Sequence, residues 1–108
     1  MSQLQTIGKT ATTIRREEGY TIIRYHSTDV VKFNDKEIIL NTGGWETATT
    51  KARMNQASHQ FNLGYTVYQK DFSWNVAYNG MSREFSGNTI ILPMLGQKYD
   101  VDLASQNN

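Results

Sequence analysis

The chain contains no cysteine, which excludes disulfide frameworks, cysteine-rich zinc sites and cysteine nucleophiles in one step. An excess of charge of one sign is also missing. Eleven Lys and Arg against ten Asp and Glu leave a net charge of +1. That balance is too small to indicate a general polyanion binder and excludes an acidic nucleic-acid mimic built on bulk charge, so any contact with nucleic acid must come from a local patch. Apolar runs are only a few residues long, too short to span a membrane. The start, Met1-Ser2-Gln3-Leu4-Gln5-Thr6, lacks the basic and apolar regions of a signal peptide. The expectation is a protein that works in the compartment where it is made. The single proline, Pro93, ends the last expected strand.

What is present suits one globular domain. The 108 residues are 38% hydrophobic and 19% charged, a composition that folds and a length that can bury a core without staples. Residues 1–108 are expected to form a single domain, with a core over 12–93, a loose N-terminal arm and a frayed tail.

Hydrophobic periodicity places the elements. Alternation predicts strands over residues 12–16, 20–26, 30–33 and 37–40, with a turn at Glu17-Glu18-Gly19 and another at Asn34-Asp35. One helix is expected from about 49 to 62, with Gly64 as its stop. The period then returns to two over 65–70 and 72–78, the latter putting Phe72, Trp74, Val76 and Tyr78 on one face. Asn79-Gly80 carries the strongest hairpin signal, since a type I′ turn needs positive φ at both central positions. Strands over 81–85 and 89–92 follow, joined by Gly87-Asn88. The order strands–helix–strands reads as α+β: an antiparallel sheet of about six or seven short strands packed on one central helix.

At 100° per residue the helix sets Thr50, Met54, Ala57 and Phe61 on a narrow apolar face, with Lys51, Asn55, His59 and Asn62 on a polar stripe. The expected core is Met54, Phe61, Val67, Trp74 and Val76. Lys51 and Arg53 fall about 160° apart, so they can flank a contact at the helix start but cannot share one groove.

The stretch from Thr42 to Asn55 is the densest chemical feature. Gly43 and Gly44 let backbone approach a ligand, the hydroxyls of Thr49 and Thr50 donate, and Lys51, Arg53 and Asn55 add cations and an amide near a helix start whose N–H groups attract anions. Trp45 is available to stack on a base. These eight residues are the candidate binding site. The same residues also suit a plain strand-to-helix connection, in which a threonine caps the helix and Trp45 closes the core. For Trp45 the packing role is favoured, because tryptophan is highly buried on average.

Other motifs carry less. Ile7-Gly8-Lys9-Thr10 ends like a phosphate-binding loop but lacks the upstream glycine and strand. His26 and His59 are the only histidines. A His-dependent nuclease with Lys51 steadying charge is conceivable, yet no spacing supports it. No H-E-x-x-H spacing exists, so neither a metal site nor a cofactor is expected. Tyr65, Tyr68, Phe72, Trp74 and Tyr78 invite comparison with base-stacking sheets, but no Lys/Arg-Gly-aromatic core accompanies them, and core roles are expected.

The segment Glu37-Ile38-Ile39-Leu40, Thr42-Gly43-Gly44-Trp45, Thr47, Thr49-Thr50-Lys51, Arg53-Met54-Asn55, then Leu63-Gly64-Tyr65 and Val67-Tyr68-Gln69-Lys70, resembles a group of small uncharacterised proteins of tailed bacteriophages. The likeness runs roughly over residues 20–92. It implies phage origin and expression in the cytoplasm of an infected bacterium, and carries no catalytic residues. The functional expectation is a small non-enzymatic phage accessory protein. Its leading partner is nucleic acid, held at residues 42–55, and the alternative is inhibition of a host protein of defence or transcription.

Overall fold

The computed structural model describes residues 11–94. The expected loose arm, the Gly8-Lys9-Thr10 motif and the frayed tail lie outside the described residues. Strand β1 (Thr12–Glu17) meets β2 (Tyr20–Tyr25) through Glu18-Gly19, with φ of 53° and 87°, the paired positive values of a type I′ turn. Strands β3 (Thr28–Phe33) and β4 (Glu37–Asn41) continue the meander. Helix α1 (Ala48–Gln60) follows, then β5 (Tyr65–Lys70), β6 (Ser73–Tyr78), β7 (Met81–Glu84) and β8 (Thr89–Pro93). Asn79-Gly80 forms the β6–β7 turn at φ of 57° and 76°, as its sequence predicts.

Among the described residues the strands form two antiparallel sheets, not the one expected, and number eight. The larger runs β1-β2-β3-β4-β8 and the smaller β5-β6-β7. The division falls at the β7–β8 connection. Ser86 bridges Thr89 as if to open a hairpin, but β8 departs to pair with β4, setting Ile38 against Leu92 and Leu40 against Ile90. Those four side chains are buried, whereas all four residues of β7 are exposed. An alternating strand pairs where its apolar parity meets another apolar face, and β4 offers that face while β7 does not. This makes a distant pairing win over a local one.

A bulge sharpens the larger sheet. Ile23 faces Val31 but Arg24 faces Asp29, so Val30 is the extra residue. Consecutive Val30 and Val31 are therefore both fully buried, which strict alternation forbids. The same shift sets Asp29 beside Arg24 (2.8 Å) and within reach of Arg15 (3.4 Å). Partial burial works against the Asp29 carboxylate, but its hydrogen bonds to Arg24 and Arg15 outweigh this and hold its pKa below the ordinary value. The pair thus stabilises the fold above the unfolded-state pKa, and that contribution disappears as pH falls through the lower folded-state value. Wild type is expected to exceed Asp29→Asn in stability at neutral pH, with the gap closing below about pH 4. Urea denaturation of both across this range tests it, and a gap independent of pH would contradict it.

The helix joins the two sheets. Thr47 caps its start, the side chain accepting from the Thr50 N–H at 3.2 Å. It ends earlier than expected. Asn62, not Gly64, takes the left-handed stop at φ 56°, with Leu63 N–H donating to Ser58 O (2.9 Å) and Asn62 N–H to His59 O (3.4 Å). This is the double hydrogen bond of a Schellman cap. Along β5 the helix substitutes for a strand. Val67 N–H donates to Asn55 Oδ1 (2.7 Å), and Asn55 Nδ2 donates back to Val67 O (3.0 Å). Ser58 does the same one step on, accepting from Tyr65 N–H (3.0 Å) and donating to Tyr65 O (2.7 Å). Tyr65 OH donates to Met54 O at 2.6 Å, and complete burial pushes the phenol well above its ordinary pKa.

Met54, Val67, Trp74 and Val76 lie in one buried cluster, as expected. Phe61 stands at its margin, half-buried, with its ring 5.1 Å from that of Phe33. Phe72 departs from expectation altogether. The register Lys70–Ser73 leaves Asp71-Phe72 as the two-residue turn, and Phe72 is 93% exposed at φ 69°.

A cleft at the start of the helix

Three connections meet near the first turn of α1. The β2–β3 turn supplies His26, in the left-handed region at φ 57°, followed by Ser27. The β4–α1 loop begins at Thr42, fully buried, whose N–H donates to Asn88 O at 2.8 Å. Trp45 N–H then donates to Thr42 O (2.9 Å), closing a tight turn. Gly43 sits at its centre with φ 64°, and a Cβ there would stand 2.5 Å from Thr28 Oγ1. Only glycine permits both that φ and that approach to β3.

Between these segments opens a cleft of about 420 Å³. Tyr25, Thr28 and Val30 line it from the larger sheet, Thr42, Trp45 and Thr47 from the loop, and Thr50 from the helix, with His26 and Ser27 also in its wall. The Tyr25 and His26 rings lie 4.4 Å apart, tilted by 56°. Trp45 is 64% exposed. It does not close the core, so the packing role expected of it is corrected. Gly43, Gly44 and the loop around them leave the indole on the surface, while the buried Thr42 and Thr50 line the cleft with it.

The eight candidate residues separate into groups. Trp45 and Thr50 line the cleft, and Gly43 shapes its wall. The glycine N–H groups are engaged within the loop, Gly43 N–H donating to Asn41 Oδ1 (2.9 Å) and Gly44 N–H to Thr42 Oγ1 (3.1 Å). Of the helix-start donors expected to meet an anion, Thr50 N–H is taken by the Thr47 cap (3.2 Å). Thr49 is exposed in the first helical turn, outside the cleft lining. Lys51 turns toward the smaller sheet, its Nζ 6.0 Å from the Trp74 ring. Arg53 is buried, its Nε donating to Thr12 Oγ1 (2.9 Å), its Nη1 to Gln56 Oε1 (3.3 Å), and its guanidinium 5.4 Å from the Tyr25 ring centre. Asn55 serves β5. The structure therefore does not gather Lys51, Arg53 and Asn55 around one ligand.

Sequence reasoning missed Tyr25, His26, Ser27 and Thr28 as cleft residues. An aromatic pair followed by two hydroxyl residues at a hairpin end was the available signal. His59 lies in the last turn of α1, and His26 at the cleft beside the first turn, so the two are not brought together as a catalytic pair.

The fold and cleft define an antiparallel two-sheet α+β domain with one helix and a part-aromatic, hydroxyl-lined recess at its start. The family model described as Kyanoviridae Gp96 protein matches residues 2–91. The chain belongs to that family, and the bacteriophage origin implied by its resemblance holds. Among curated proteins and among solved structures, nothing matches the chain. No helix of the described residues is long and apolar enough to cross a membrane.

Proposed function

We propose that this phage protein is a non-enzymatic accessory protein that binds single-stranded nucleic acid in the host cytoplasm, taking a base into the cleft against Trp45. The observation that carries the reading is the exposed indole at a recess that also contains the Tyr25 and His26 rings. An aromatic face held in water gains by stacking on a base, and every base offers such a face. The hydroxyls of Ser27 and Thr28 supply donors and acceptors for base edges. Phosphate plays the lesser part, because Arg53 is engaged in the fold and Lys51 stands over Trp74. Binding should then depend on salt with a slope of about one or less, since that slope counts the phosphates neutralised.

Titration of oligothymidylate and oligouridylate into wild type and Trp45→Ala tests the reading. The alanine variant is expected to lose at least about fivefold in affinity, the lower end of one stacking contact, with its stability unchanged. Absence of binding by wild type at low salt would end it. The second reading, inhibition of a host protein, is favoured by β7, whose four residues are exposed and which among the described residues pairs only with β6. Met81, 66% exposed at its start, would accompany addition of a partner strand. Pull-down from infected cells with and without nuclease separates the two, since a nuclease-resistant host protein supports the second.

A further inference from the structure

We infer that Phe72 is a second stacking residue, and that a single strand bound at the cleft continues across the helix start to the β5–β6 turn. The inference rests on the nucleic-acid reading above.

Topology places Phe72 at the cleft end of the molecule. Asn55 bonds Val67 and Ser58 bonds Tyr65, so moving back along α1 moves forward along β5. Lys51 reaches the ring of Trp74, whose strand partner is Gln69. Beyond that level the helix has only its first turn left, and β5 has only Lys70 before the turn at Asp71-Phe72. Thr47 and Thr50, which line the cleft, belong to the same end.

The turn itself contains the second observation. Glu18-Gly19, Asp71-Phe72 and Asn79-Gly80 are two-residue turns with both central φ values positive. Two of them place glycine at the second position, where a side chain is strained. The third places phenylalanine there, at φ 69° and 93% exposed. Burial within this fold does not offset that strain, so a ring kept at this position is accounted for by contact outside the fold.

The setting selects the partner. Among the described residues, the exposed chain neighbours of Trp45 and Phe72 include the polar Glu46, Thr47, Thr49 and Asp71, unlike the apolar centre of a protein interface. Separate rings on a polar surface suit bases, which stack one at a time.

The test compares lengths. A thymidine dinucleotide can occupy the cleft alone, whereas an oligothymidylate of about ten nucleotides, within the range of known single-strand sites, can reach both rings. Phe72→Gly relieves the positive φ and folds at least as well as wild type by denaturation. It is expected to bind the dinucleotide as wild type does and the longer strand about five- to tenfold more weakly. Equal affinity of Phe72→Gly and wild type for the longer strand, with Trp45→Ala still weakened, overturns the inference and leaves the cleft reading standing. A wild type that binds neither length overturns both, and directs attention to a protein partner for Phe72.

Discussion

Trp74→Ala is expected to lower the free energy of unfolding by about 3–5 kcal/mol, the range for truncating a buried aromatic residue. The indole is 4% exposed and stands edge-on to Phe85, with ring centres 6.1 Å apart at 89°, a favoured aromatic geometry. Phe85 N–H donates to Trp74 O at 3.0 Å, so the cavity would also loosen the chain leaving β7. The Lys51 Nζ stands 6.0 Å from the ring centre. Trp45→Ala serves as the contrast. Its largely exposed ring leaves little area to lose, and a change within about 0.5 kcal/mol is expected, as for surface substitutions. Urea denaturation of both variants decides it: similar losses for the two tryptophans would mean that the assignment of core and surface is mistaken.

Asn55→Ala should cost about 2–3 kcal/mol, because it leaves both the N–H and the C=O of Val67 without partners along the β5 edge. Val67 is almost wholly buried, so water cannot readily replace the lost amide. The amide exchange of Val67 should accelerate more than that of Val76, which is paired within the smaller sheet. Ser58→Ala acts on the next link of the same seam and is expected to weaken the Tyr65 amide in parallel. Loss of nucleic-acid affinity at full stability in Asn55→Ala would contradict this account, since it would return Asn55 to the binding surface.

Much of the local architecture was legible. Glu18-Gly19 and Asn79-Gly80 announced their turns because few other residue pairs accept two positive φ values. The helix was legible from about residue 49, one residue past its start at Ala48, because its apolar face repeats over a few positions. Its end was read two residues late because Asn62 can take the left-handed conformation that Gly64 was expected to supply. The core seam of Met54, Val67, Trp74 and Val76 followed from periods of 3.6 and two. The site was legible only as a region. Gly43 and Trp45 marked the loop, but the opposing wall comes from Tyr25 to Thr28, distant in sequence and adjacent only after the meander folds.

The sequence by itself determined an α+β chain with one helix, the positions of most turns, and which strand faces are apolar, because those properties arise from neighbouring residues. Only the tertiary structure decided that β8 would leave β7 for β4, dividing the strands into two sheets. Local alternation states that Ile90 and Leu92 need an apolar face and is silent on which face receives them. The same holds for the aromatic residues. Trp45 and Trp74 are alike in chemistry, and Phe72 shares the parity of Trp74. Their separation into core, cleft and turn tip depends on the hairpin register at Lys70–Ser73 and on a glycine loop pressed against Thr28. Burial is a property of what packs from elsewhere, and no run of adjacent residues contains that information.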